Sequence, residues 1–339
     1  MAITNYTDFV IDNQYFHTGT FEAVTQNLSL FNELSQGAIR LENKQIPGHY
    51  NDNIMYTGLE DAWTRRDITS AAAISSGDTK KVSEVDQRGV KFNAKMYSPF
   101  TLHAFQKNFD PGMKGDYQEI SRKIGQATGF SRLKQQLNHA LYAAAAALKN
   151  QAGSTQTNVV SSANYNGKMN SLDLNLGRAK MGDMAGRIVC MVSHSKPYFD
   201  LIGQQVADKI AGVTDFNLFK GNPATYGIPA LVTDSPALVN VVAGTAGYTQ
   251  YHTLLLVADS VSVTNSEAEA MIAQPVTGKE NIEIALQGEG AHNIELKGFQ
   301  WDMTNGGINP TEAALATGTN WDTIFSSVKN RAGVVIVSR

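Results

Sequence analysis

The spacing of apolar residues changes character several times along the 339-residue chain, and each change marks a predicted element. Over residues 1–45, short apolar runs are mixed with Asn, Gln, Thr and Ser, with weak helical spacing at Phe21, Val24, Leu28 and Phe31. This stretch reads as an extended arm carrying one short helix, closed by Pro47-Gly48. Residues 58–98 are polar and follow a hairpin pattern. "AWTRRDITSAAAI" leads into the turn-rich "SSGDTKK", and "VSEVDQRGVKFNAKMYSP" returns. In the return, Val90, Phe92, Ala94 and Met96 alternate with Lys91, Asn93 and Lys95, the period of a strand with one covered face. Arms this polar form no core of their own, and a two-stranded ribbon is marginal in water unless something covers it.

After Pro111-Gly112 the period becomes helical. The pattern predicts a helix from an N-cap at Asp116 to Gln151, ended by Gly153. Such a helix would be a rod of roughly 50 Å, where the mean helix has only ~11–12 residues. Ile120, Ile124 and Ala127 form one stripe, and Leu133, Leu137, Leu141, Ala144 and Leu148 form another, rotated by about a quarter turn. Gly125 and Gly129 sit at the junction and predict a kink or a change of packing partner. Five consecutive alanines, 143–147, favour helix while burying little, so another surface can lie close against them. The packing candidates on this helix are Leu137, Leu141, Ala144 and Leu148.

Beyond residue 154 the pattern alternates between strand and helix. "RIVCMVSH" (187–194) reads as a buried strand and "KPYFDLIGQQVADKI" (196–210) as a short amphipathic helix with an early proline. "YGIPALVTDSPAL" (226–238) reads as a strand between two prolines, and "HTLLLVADSVSVT" (252–264) as another. "ENIEIALQGEGAHNIELKGFQWDM" (280–303) reads as two strands around Gly288-Glu289-Gly290, and "GVVIVSR" as a final strand. No internal repeat, heptad array or low-complexity tract interrupts the pattern.

Composition narrows the classes. Apolar residues make up 42% of the chain, enough for a real core, and the net charge of −3 carries no global signature of a nucleic-acid binder. A shell around a polyanion would need none. The single Cys190 excludes an intramolecular disulfide framework and, set in "RIVCMVSH", reads as a small buried hydrophobe. No signal peptide and no apolar stretch of membrane-spanning length is visible, so the sequons at Asn5 and Asn27 read as chance matches in a protein expected to stay inside the cell that makes it.

The search for catalytic chemistry is mostly negative. Phosphate-binding, dinucleotide, zincin, nucleophile-elbow and EF-hand motifs are absent, and the seven histidines show no pair at metal-ligand spacing. No cofactor is expected. His194 at a strand end and Asp259 after "LLLV" are the residues on which an α/β enzyme would be built, with lone polar strand ends as the plainer reading. Arg65, Arg66, Lys80, Lys81, Arg88, Lys91 and Lys95 all fall on the predicted ribbon. They suit either a solvated edge that discourages stray pairing or charge matching against a neighbouring chain, and the ribbon's length favours the neighbour. Arg122, Lys123, Arg132 and Lys134 on the long helix suit a solvated face or a polyanion.

The order of these elements resembles the major capsid protein of tailed bacteriophages, the Hong-Kong-type capsid fold. "VSEVDQRGVKFNAKMYSPF" resembles the returning arm of that family's extended loop, and the 117–150 helix its spine helix. "IVCMVSHSKPYFDLI" and "TYGIPALVTDS" resemble its axial-domain motifs, and the stretch from Trp301 to Arg339 is similar to the C-termini of several phage coat proteins. The resemblance implies an α+β fold with an N-terminal arm (1–45) and an extended β-ribbon loop (46–98). A peripheral domain (99–189 and 276–339) would carry the spine helix, and an axial α/β domain would span 190–275. It implies a non-enzymatic structural protein whose copies form pentamers and hexamers of an icosahedral shell around double-stranded DNA. It would be made in the host cytoplasm and reside in the virion capsid, or, on a second reading, form an encapsulin-like nanocompartment. The expected partners are copies of itself, a portal, packaged DNA contacted non-specifically, and a decoration protein in some members. Arm-like sequence from Met1 onward suggests a separate scaffolding protein or none. Some members carry a lysine–asparagine cross-link, but no motif here identifies an acceptor asparagine, so the cross-link is not transferred.

Overall fold

A computed structural model describes residues 13–44, 46, 48–57, 66–71, 83–101, 116–157, 167–212, 227–242, 248–267, 270–276, 278, 280 and 283–339. In chain order, helix α1 (Asn13–Leu34) leads to β1 (Ile39–Asn43), β2 (Asp52–Thr57), β3 (Ser83–Arg88) and β4 (Val90–Thr101). The long helix α2 (Asp116–Lys149) follows, then β5 (Thr155–Thr157), α3 (Ser171–Ala179), β6 (Ile188–Ser193) and α4 (Ser195–Gly212). Strands β7 (Ala230–Val232), β8 (Val239–Val242), β9 (Tyr248–Val257), β10 (Val261–Asn265), β11 (Ala270–Val276), β12 (Glu283–Leu296) and β13 (Phe299–Trp301) come next. Two short helices, α5 (Met303–Gly306) and α6 (Glu312–Leu315), precede β14 (Trp321–Thr323) and β15 (Gly333–Ser338).

The strands form two large sheets. In the six-stranded sheet the order is β5-β15-β9-β6-β7, with β8 also pairing β9. Strands β6 and β7 are parallel, joined through α4, which is the connection a parallel pair requires. The five-stranded sheet has the order β1-β10-β12-β11, with β4 along the other flank of β12. Strands β2 and β3 form a separate antiparallel ribbon, with Ile54 opposite Asp86 and Tyr56 opposite Glu84.

The six-stranded sheet is covered on both faces, which explains why β15 is a continuous apolar run buried at every position. On one face, Cys190, Val192, Leu254, Leu256, Val335 and Val337 join the alanines of α2 in a core that also takes in Ile39, Val261 and Ile294 of the other sheet. On the opposite face Met191, Leu255, Val334 and Ile336 pack with Leu174 of α3 and Leu201 of α4. Helix α2 is thus the element shared by both sheets. Its C-terminal carbonyls are met by the Thr155 hydroxyl, which lies 3.1 Å from Leu148 O, 3.1 Å from Lys149 O and 3.0 Å from Gln151 O.

Four expectations need correction. The short helix in an extended arm is a 22-residue helix lying on α2. "HTLLLVADSVSVT" is two strands in different sheets, separated by a turn in which Asp259 takes a left-handed φ of 56°. Residues 283–296 are one strand, because Gly288-Glu289-Gly290 is held by β4 on one side while β11 pairs as far as Glu289 on the other. The return arm of the predicted ribbon is only half a ribbon: β3 pairs β2, whereas β4 pairs β12 from Val90 to Thr101 within the same chain. Strand pairing also cuts across the expected axial boundary. Strands β10 and β11 belong to the sheet of β4, and β15 sits inside the sheet of β6 and β9.

Candidate assembly surfaces

Helix α2 meets its neighbours in two ways. In its first half the buried positions among the described residues are Ser121, Gly125 and Gly129, one turn apart, and Ala127 of the predicted stripe is exposed. They face α1 at backbone distance. A Cβ on Gly125 would stand 2.1 Å from Phe16 O, one on Gly19 would stand 2.2 Å from Arg122 O, and one on Gly129 would stand 2.9 Å from Thr20 O. The Thr20 hydroxyl donates to Phe16 O or Gly125 O, 3.1 Å from each, and Arg122 pairs with Glu22 at 3.1 Å. In the second half Leu141, Ala143, Ala144, Ala145, Ala147 and Leu148 are buried against the sheets, with Leu133 and Leu137 packed at the margin. The change of partner at the glycines is therefore real. The predicted packing residues all face this core.

The ribbon is tied down at its base and bare beyond it. Asn51 and Asn53 donate to the two oxygens of Glu295 at 2.6 Å and 3.1 Å, and Gln87 donates to Leu296 O at 2.9 Å. Further out, Ile54 is 58% exposed and Tyr56 67% exposed. Among the described residues no core of its own chain receives this apolar pair.

The predicted contact cations separate into three groups. Arg66 and Lys95 are exposed, and Lys95 lines a cavity of about 210 Å³ between β4, β12 and α2, together with Arg132, Met271 and Glu289. Arg88 is engaged within its own chain. Its Nε donates to Asp52 at 2.7 Å and its guanidinium lies 5.0 Å from the Tyr50 ring centroid, and the Asp52 hydrogen bond holds its pKa above the usual value. Lys91 is a correction: it is buried, bonded to Glu267 and donates to Gly48 O at 3.1 Å. The ribbon's length favoured a neighbouring chain as its partner, but on β4, which pairs β12 along one edge, the Lys91 side is closed over by Gly48 and Glu267 of its own chain. Arg65, Lys80 and Lys81 lie outside the described residues. On the long helix, Arg122 is paired to Glu22 and Arg132 donates to Gln135 at 2.8 Å, while Lys123 and Lys134 are exposed.

No catalytic cleft joins His194 and Asp259. In the antiparallel pair β6–β9, Ile188 is opposite Val257 and Val192 opposite Leu254, so His194 and Asp259 follow opposite ends of the sheet. His194 Nδ1 accepts from Lys196 N at 3.2 Å, and Asp259 pairs with Arg40 at 3.0 Å. Cys190 is buried, and burial pushes its thiol up to about 11, far from the thiolate a nucleophile needs. Among the described residues no group of three His, Cys, Asp or Glu could hold a metal ion.

Sequence reasoning missed the strand Asp52–Thr57, whose alternation Ile54–Tyr56 was the available signal, and the glycine-lined approach of α1, which carries no apolar signature.

One long helix serves two sheets, and the ribbon beside them exposes apolar residues. The comparisons specify the class. The family model Gp13-like, described as "Major capsid protein 13-like", matches residues 8–335, and the chain belongs to that family. It is a structural capsid shell protein that associates with copies of itself, located in the virion capsid, and it is not an enzyme. Among solved structures, the capsid of Ralstonia phage GP4 is 10% identical, with 90% of this chain and 87% of that chain covered and a TM-score of 0.51, a likeness of fold. Microbacterium phage Oxtober96 gives 15% identity, coverage of 89% and 90%, and a TM-score of 0.49. Mycobacterium phage Cain gives 15% identity, coverage of 90% and 89%, and a TM-score of 0.47. No curated protein matches the chain.

Proposed function

We propose that copies of this chain form pentamers and hexamers that tile an icosahedral shell around packaged double-stranded DNA. The shell is made in the host cytoplasm with a separate scaffolding protein and a portal, and a decoration protein is a further partner. The ribbon within 46–98 reaches a neighbouring copy. Residues 1–45, with α1 lying on the spine helix α2, form the N-terminal arm. The axial unit centres on β6 to β9 with α4, drawn in from 190–275 to end at Val257 because β10 and β11 pair in the five-stranded sheet of β4 and β12. Arg66 and Lys95 are the intersubunit contact candidates that keep exposed side chains, while Arg65, Lys80 and Lys81 remain candidates on sequence alone. The observation that carries this reading is the exposed pair Ile54 and Tyr56 on a ribbon paired only with itself among the described residues. Repeated many times over a shell, such modest contacts give avidity.

Negative-stain microscopy and sedimentation of the purified chain, with and without scaffold, are expected to show large closed particles. Monomers and dimers alone would overturn the reading. Tyr56→Asp, or deletion of 76–81, is expected to leave a folded subunit that tiles poorly, and normal assembly of both variants would refute the intersubunit role of the ribbon.

A further inference from the structure

Two histidines far apart in the sequence meet in the core. His139 on α2 and His292 on β12 are both fully buried, with ring centroids 5.1 Å apart and planes 22° from parallel. His139 Nδ1 lies 3.0 Å from His292 Nε2, and His139 Nε2 lies 3.1 Å from Glu312 Oε1 at the start of α6. Phe92 of β4 closes the side, its ring centroid 4.2 Å from His139 and 5.5 Å from His292.

These contacts determine where the protons sit. An ionised carboxylate only accepts, so His139 Nε2 carries the hydrogen and donates to Glu312. His139 Nδ1 is then a lone pair and accepts from His292 Nε2–H. That leaves His292 Nδ1 as a bare, buried nitrogen with no hydrogen-bonding protein group beside it among the described residues. An added proton must end on that nitrogen, directly or after His292 changes tautomer, where the resulting N–H meets no protein acceptor. The charged and titratable groups nearby are Glu312 from α6 and Arg132 and Tyr142 from α2. The residues opposite His292 on β4 and β10, Phe92 and Asn265, are uncharged.

We propose that His139 and His292 form a proton-sensitive clasp, holding the long helix, the five-stranded sheet and the segment around α6 together while neutral and releasing them on protonation. Burial lowers the pKa of both rings below 6.5. For His139 the hydrogen bond to Glu312 opposes this, and for His292 the Arg132 charge adds to it. Such rings take up protons when the junction opens. The clasp's contribution is therefore complete above about pH 6.5 and is lost as pH falls below it, with the opening constant rising up to ~tenfold per pH unit for each proton bound.

Hydrogen exchange of the full chain at pH 7.5 and 5.5, corrected for the intrinsic rate, tests this. Opening of Val90–Thr101, Glu283–Leu296 and 303–315 is expected to become about 10–100-fold more frequent at pH 5.5, with Ile188–Ser193 changing less. His292→Phe and His139→Gln are each expected to flatten that response. His252→Phe is not, since His252, held down at about 4 by burial, sits in the other sheet. A full response surviving in both clasp variants would overturn the proposal. If neither variant folds, histidine ring NMR of the native chain decides. Ordinary titration of both rings near 6.5 in the folded state refutes the clasp, and midpoints depressed together support it. The readout is local to one chain, so it stands apart from the shell geometry proposed above.

Discussion

Along α2, the half that carries Gly125 and Gly129 and the half that carries the five alanines are both lined by small residues, yet they pack differently. The first half meets α1 backbone to backbone, with glycine Cα atoms against the carbonyls of Phe16 and Thr20. The second half meets two sheets through alanine methyl groups, with Leu141 and Leu148 fully buried among them. Glycine lets two helices approach until a side chain would not fit. Alanine instead sets a helix at a fixed small distance from a surface that supplies the larger side chains. A stripe of small residues therefore does not name its partner. The size of what stands opposite does.

Four substitutions test that contrast, from the largest effect to the smallest. Ala144→Trp should be the most damaging, since a bulky ring cannot enter a contact buried completely between sheets; overpacking of more than ~3 kcal/mol is expected, read as loss of soluble, assembled protein. Leu148→Ala should lower stability by about 2–5 kcal/mol in denaturant unfolding through an unfilled cavity. Gly125→Ala distinguishes the halves by sign. On an open helix face it would stabilise by up to ~1 kcal/mol, but its methyl would meet Phe16 O, so a loss of about 1–3 kcal/mol with faster hydrogen exchange across Asn13–Leu34 is expected. A gain would show that α1 does not dock at this distance. Phe130→Ser, on an outward position 52% exposed, should change subunit stability by no more than about 0.5 kcal/mol.

Elements with strong periodic signals were legible in the sequence. The long helix runs from the residue chosen as its start to within two of its predicted end, and β6, β7 and β15 fall where apolar runs and prolines placed them. What was not legible depended on neighbours distant in sequence. Helix α1 looked short because its buried face is Phe16, Gly19, Thr20 and Ala23, with a single large apolar side chain, while Phe21 of the expected stripe is 68% exposed. Gly288-Glu289-Gly290 looked like a turn, yet strands on both flanks hold it extended. Lys91 was expected to meet a neighbouring chain because its partner Glu267 in its own chain could not be foreseen from spacing. The His139–His292 contact joins residues that no local pattern links.

The position of β15 has a consequence for biosynthesis. It lies between β5 and β9, pairing one in parallel and the other antiparallel, so β5 has no partner strand and β9 lacks one of its own until residues 333–338 leave the ribosome. Pairings this distant in sequence form late and slowly. A polypeptide that stalls before Gly333 leaves this sheet without the strand that joins β5 to β9.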